Sequence, residues 1–142
     1  MEGMDRYESH PARDMAVRSM TAVEAGDRET WLGLFAEDAL IEDPIGPSPF
    51  DPEGKGHRGL EAIGRFWDET ISKMPVHLDV RESYATGNEC ANVATITLAM
   101  PDGSRAIVEG VFTYRIDDAG RLAALRAYWE QDKLRFEPAS AP

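Results

Sequence analysis

Cysteine is nearly absent. The single thiol, Cys90, rules out an intrachain disulfide and fits a reducing compartment. It sits in Cys90-Ala91-Asn92-Val93-Ala94, where a small buried hydrophobe is a simpler role than a nucleophile. Long apolar runs are missing too, since none approaches the roughly 20 residues a membrane helix needs. The opening stretch Met1-Glu2-Gly3-Met4-Asp5-Arg6 lacks the basic-then-apolar order of a signal peptide, so the chain reads as cytoplasmic. Positive charge is scarce: 15 basic against 26 acidic side chains leave a net charge of −11. Such a surface repels phosphate backbones and anionic lipid, which argues against nucleic-acid or membrane partners. Its ordinary role is solubility.

Histidine is equally sparse. His10, His57 and His77 fall in a polar end, a loop and a strand, and that spacing builds no zinc site. Asp51-Pro52-Glu53-Gly54-Lys55-Gly56 is too short and too proline-broken for a calcium loop. The glycines there do not follow a strand and open a phosphate-binding helix, and no motif supports a Ser/His/Asp set. No metal or cofactor is expected. Only His57, beside Arg58, is placed to meet a ligand.

What the chain does have is a core. Its 142 residues are 42% hydrophobic, enough for one domain spanning 1–142 with residues 1–10 and 137–142 frayed. From Pro11, apolar positions at three- and four-residue spacing (Met15, Ala16, Met20, Val23) predict a helix ended by Gly26. Asp27 caps a second short helix carrying Trp31, Leu32, Leu34 and Phe35. Ala39-Leu40-Ile41 reads as a short strand broken at Pro44, and residues 44–59 as an ordered loop or pocket rim. A third helix buries Leu60, Ile63, Phe66, Trp67 and Ile71. After Pro75 the period drops to two, predicting a strand from Val76. Long strands follow over Cys90–Met100, Arg105–Ile116 and Arg121 to about Phe136, split by turn signals at Pro101–Ser104 and Asp117–Gly120. The order predicts an α+β fold, three helices on one face of a curved, largely antiparallel sheet around an apolar cavity.

Glu42-Asp43 closes the first strand, and adjacent strand residues point to opposite faces. One carboxylate then faces the interior, where apolar walls raise its pKa toward that of a general base. A turn or cap role before the proline-rich loop explains the same aspartate equally simply. Trp67, Phe112, Tyr114 and Trp129 read as core residues or as a ligand platform, with polar handles on the tyrosine and tryptophans.

Several segments resemble bacterial ketosteroid isomerases: Ala25-Gly26-Asp27, Leu34-Phe35-Ala36-Glu37-Asp38-Ala39, Ile41-Glu42-Asp43-Pro44-Ile45-Gly46 and Gly59-Leu60-Glu61-Ala62-Ile63. So do Val111-Phe112-Thr113-Tyr114-Arg115-Ile116 and Ala119-Gly120-Arg121-Leu122. The likeness covers about residues 15–135 and is closest to actinobacterial members. It implies the cone-shaped fold shared with nuclear transport factor 2 and the SnoaL-like cyclases, a homodimer packed through its sheet, and a flat apolar ketone such as a steroid as ligand. On it, Asp43 falls at the catalytic base, which moves a proton and shifts a double bond into conjugation. The family's electrophile is a tyrosine and a protonated aspartate. Ser19 stands in place of that tyrosine and Phe112 in place of that aspartate, while Trp67 replaces a supporting tyrosine and Trp129 lines the ligand cavity. Losing one such donor costs about 2.7–4 kcal/mol in the transition state, so weak or altered activity is expected. Ser19, Trp67, Phe112, Tyr114 and Trp129 are the expected substrate-binding residues. The same cone also accommodates a non-catalytic steroid binder, or a cyclase or dehydratase for which His77 is the available histidine.

Overall fold

The computed structural model describes residues 1–139. Helix α1 (Pro11–Ala25) starts at a proline and stops at Gly26, whose left-handed backbone (φ 67°) lets its N–H reach the last carbonyls. Helix α2 (Arg28–Leu32) is capped by the Asp27 carboxylate, and α3 (Leu60–Glu69) buries Ile63, Phe66 and Trp67. The strands are β1 (Phe35–Glu42), β2 (His57–Arg58), β3 (Val76–Thr86), β4 (Glu89–Ala99), β5 (Arg105–Ile116), β6 (Leu122–Tyr128) and β7 (Arg135–Glu137). They form one sheet in the order β2-β1-β6-β5-β4-β3, with β7 paired to β5. All pairings are antiparallel except β1 with β6, so the sheet is mixed, and the three helices lie on its inner face.

Register decides what faces the core. Ser83, Asn92, Phe112 and Ala127 lie side by side across β3, β4, β5 and β6. The next inward row is Ala85, Cys90, Tyr114, Leu125 and, on β1, Ile41. Trp31 and Phe35 meet edge to face at 4.8 Å and Trp31 lies 5.0 Å from Trp67, tying α2, β1 and α3 into one aromatic cluster.

Four local expectations change. Leu34 and Phe35 do not extend α2: it stops at Leu32, and Phe35 opens β1 by pairing with Leu122. Ile71 lies beyond α3, in a 3-10 turn over Ile71–Lys73. The last strand is not continuous to Phe136. The chain leaves β6 after Tyr128, turns through Gln131–Lys133, and returns as β7 alongside Arg105–Ile107, which also takes Glu137 out of the frayed tail. The first ten residues are not frayed either. Glu2 exchanges backbone hydrogen bonds with Leu78 and Val80 along the free edge of β3, and Met4 is buried. An edge strand leaves such donors and acceptors open, and the N-terminal segment satisfies them. Of the expected C-terminal fraying, residues 140–142 lie outside the described residues.

Candidate active site

Strand alternation separates the two carboxylates. Ile41 is fully buried on the inner face; Glu42 turns outward, accepting from Arg126 Nε at 2.8 Å across the parallel pair. Asp43 therefore turns inward, as the period of two requires. Its Oδ1 accepts from Trp129 Nε1 at 2.7 Å. That contact needs the close approach of β6 to β5 at Gly110, where an added Cβ would stand 2.4 Å from the Tyr128 carbonyl and 2.9 Å from Trp129 Cβ. The loop after Asp43 is tied down by the Ile45 N–H to the Ala127 carbonyl and by Gln131 Nε2 to the Pro47 carbonyl.

Burial pushes the Asp43 pKa up; the Trp129 hydrogen bond and the nearby His57 pull against it without cancelling it. Asp43 nonetheless keeps partial exposure. A carboxylate in that position is part way to the pKa of a base that works near neutral pH.

Tyr114 lies one row along the inner face from Asp43. Burial raises its phenol pKa, with the charge of Asp43 adding to the effect, and its hydroxyl has no hydrogen-bond partner among the described residues. Phe112, on the same face two residues earlier, is 5% exposed and offers no donor. Ser19 is 1% exposed, and its Oγ accepts from Trp31 Nε1 at 3.2 Å, so it serves the helix packing. Trp67 stacks against Trp31 in that same cluster. Asp43, Trp129 and Tyr114 thus come together with Phe112 beside them, while Ser19 and Trp67 belong to the aromatic cluster.

Two neighbours carry weaker sequence signals. His57 pairs with Ile41 across β1–β2 and packs on Phe66 at 4.8 Å, which brings it within electrostatic reach of Asp43. Asn92 is fully buried, and its Nδ2 finds no partner. Its signal is a polar residue at an inward position between Cys90 and Ala94. His77 is half-exposed on β3, paired with Glu24 at 3.1 Å and Glu2 at 3.4 Å, at the opposite end of the sheet from β1. His77, the histidine expected for a dehydratase, is thereby no part of the Asp43 site. Among the described residues no group of three His, Cys, Asp or Glu could hold a metal ion, and no helix is long and apolar enough to cross a membrane.

Comparison with known proteins identifies the family and the fold. The SnoaL-like domain profile matches residues 16–125. A steroid Delta-isomerase of Nocardioides simplex is 25% identical over 122 residues, covering 86% of this chain and 92% of the relative. The solved Delta 5-3-ketosteroid isomerase of a Mycobacterium species is 37% identical, with a TM-score of 0.86 over 90% of this chain and 99% of its own. A Mycobacterium tuberculosis protein gives 36% identity and a TM-score of 0.86 over 92% of this chain and 99% of its own. That protein has also been solved in complex with estradiol-17beta-hemisuccinate. The chain belongs to the SnoaL-like domain family, with the nuclear transport factor 2-like fold and relatives among the ketosteroid isomerases.

Proposed function

We propose that the chain binds a steroid or a similar flat apolar ketone between its helices and the inner sheet face, and isomerises it slowly. The observation that carries this is Asp43: an inward carboxylate with a raised pKa, aimed by Trp129 at 2.7 Å beside an unpartnered Tyr114 hydroxyl. Asp43 removes a proton from the carbon next to the ketone, and the ketone oxygen gains the charge. Tyr114 O–H donates to that oxygen. The proton then returns two carbons further along, leaving the double bond conjugated.

The two groups are coupled. While Asp43 is ionised, its charge holds the Tyr114 phenol a poor acid. Once Asp43 takes the proton that repulsion ends, and the phenol becomes a better donor just as the oxyanion forms. A phenol so buried still lacks the strength of a two-donor oxyanion hole, hence the slow rate. The names of the relatives, a steroid Delta-isomerase and a ketosteroid isomerase, support the substrate class.

The test is conversion of a β,γ-unsaturated 3-ketosteroid, followed by the ultraviolet absorbance of the conjugated product. Turnover by the wild type that falls about 10³-fold in Asp43→Asn is expected; no turnover, or equal turnover, removes the isomerase reading. Phe112, which has no donor, and Ser19, whose buried hydroxyl is held in the helix packing by Trp31, favour a second reading, binding without catalysis. Steroid binding with no conversion selects it. The outward residues Val93, Val111 and the half-exposed Tyr128 give the sheet an apolar outer patch, on which a homodimer would pack. A dimer mass in sedimentation that Val111→Glu converts to monomer is the expected result.

A further inference from the structure

A polar chain runs from α1 over β3 and β4 on the inner face without reaching solvent at its far end. It begins at Arg13 on α1, whose Nε donates to Ser83 Oγ at 3.0 Å while its Nη1 holds the Glu8 carbonyl at 2.8 Å. The Ser83 hydroxyl meets Cys90 Sγ at 3.6 Å, and the thiol donates to Asn92 Oδ1 at 3.4 Å. Burial keeps the Cys90 thiol protonated, so its hydrogen is available for that bond. Each link uses the donor of one group and the acceptor of the next. The direction of the chain is therefore set by the guanidinium, which has no acceptor to offer. It ends at Asn92 Nδ2, which points onward with no partner on a residue that is 0% exposed.

An unpartnered buried amide donor is a cost that folded chains rarely retain without a use for it. Here its place suggests the use. Asn92 is the cross-strand neighbour of Phe112, and Phe112 of Ala127. Continuing the β1–β6 register beyond Glu42 and Arg126 puts Asp43 beside Ala127. Asp43 and Asn92 are thus two polar positions of one row, with the apolar Phe112 and Ala127 between them and Ser83 beyond Asn92. Three strand spacings separate them, about 14 Å along a flat sheet and less across a concave one.

We propose that Asn92 is a specificity-determining residue: its Nδ2 donates to an oxygen of the bound ligand on the far side of Phe112 from Asp43. The ligand class this implies is a rigid, flat, apolar skeleton, with its reactive carbon at Asp43 and an oxygen acceptor at Asn92. This rests on the reading of the Asp43 face as the ligand site. Because the amide is sealed in the free chain, seating that oxygen requires a lining side chain to shift, and Phe112 is its cross-strand neighbour on the inner face. Ser83 and Cys90 are positioning residues, which keep the Asn92 donor end forward.

The test pairs protein variants with matched ligands in a fluorescence titration: estradiol, 3-deoxyestradiol and 17-deoxyestradiol against wild type, Asn92→Leu and Asn92→Ala. The expected result is that wild type favours estradiol about 10-fold over one of the deoxy compounds, the scale of one buried hydrogen bond. Both variants should lose that preference while binding the same deoxy compound as tightly as wild type does. Ser83→Ala should reduce the preference by a smaller factor. Equal weakening of all three ligands in the Asn92 variants, or no change in any, overturns the inference and leaves the Asp43 reading standing. Failure of wild type to bind any of the three overturns both. Asn92→Leu should also be at least as stable to heat as wild type; a folded but less stable variant that keeps the ligand preference shows a purely structural amide.

Discussion

The two ends of the inner face are built to different standards. At the β1–β6 end, Asp43 is half-buried, aimed by Trp129 and raised in pKa, with His57 close by. At the end under α1, Ser19 accepts from Trp31, Phe112 offers no donor, and Asn92 holds an amide with nothing to bond. The difference teaches that proton handling and charge stabilisation are separable in this fold. A base needs burial and one orienting donor, and both follow from strand register on a single pair of neighbouring strands. An oxyanion site needs donors from separate elements to converge on one point, so a single substitution on α1 or β5 dismantles it.

Substitutions around Asp43 carry the largest expected effects. Beyond the loss expected for Asp43→Asn, Tyr114→Phe should lower kcat about 10²-fold with little change in KM, because the donor acts as charge develops. An unchanged kcat would leave the charge-stabilising end with no donor on β5 and make the contrast sharper still. Next comes the pH profile of kcat/KM. The Trp129 hydrogen bond favours the ionised carboxylate, so Trp129→Phe should raise the Asp43 pKa further and move the acidic limb to higher pH. A limb that stays in place would separate Asp43 from the proton transfer.

The smallest effect belongs to Ser19→Ala. It removes the Trp31 hydrogen bond and should cost about 1 kcal/mol in urea denaturation, with turnover nearly unchanged. A large loss of turnover without loss of stability would return Ser19 to the site.

Much of the layout is readable in the residues. Pro11 and Gly26 bracket α1, Asp27 caps α2, and the period of two after Pro75 opens β3 as expected. That one of Glu42 and Asp43 turns inward is also readable, but which one is decided by the burial of Ile41. What counting misses is nonlocal. Phe35 joins a strand because Leu122, 87 positions away, pairs with it. Residues 1–10 lie ordered against the edge of β3, where open backbone groups receive Glu2. Polarity near a terminus conveys none of this.

From the residues alone come the α+β class, the order of most elements and the fact that one of Glu42 and Asp43 turns inward, because caps, turns and side-chain period act over a few residues. Tertiary structure alone decided which groups surround that carboxylate. Trp129 reaches Asp43 because β6 lies parallel beside β1 and close to Gly110. Ser19 is drawn to Trp31, and the Arg13–Ser83–Cys90–Asn92 chain forms only where α1 crosses β3 and β4. Hydrogen bonds act over about 3 Å between residues far apart in the chain, so their partners are set by packing rather than by pattern.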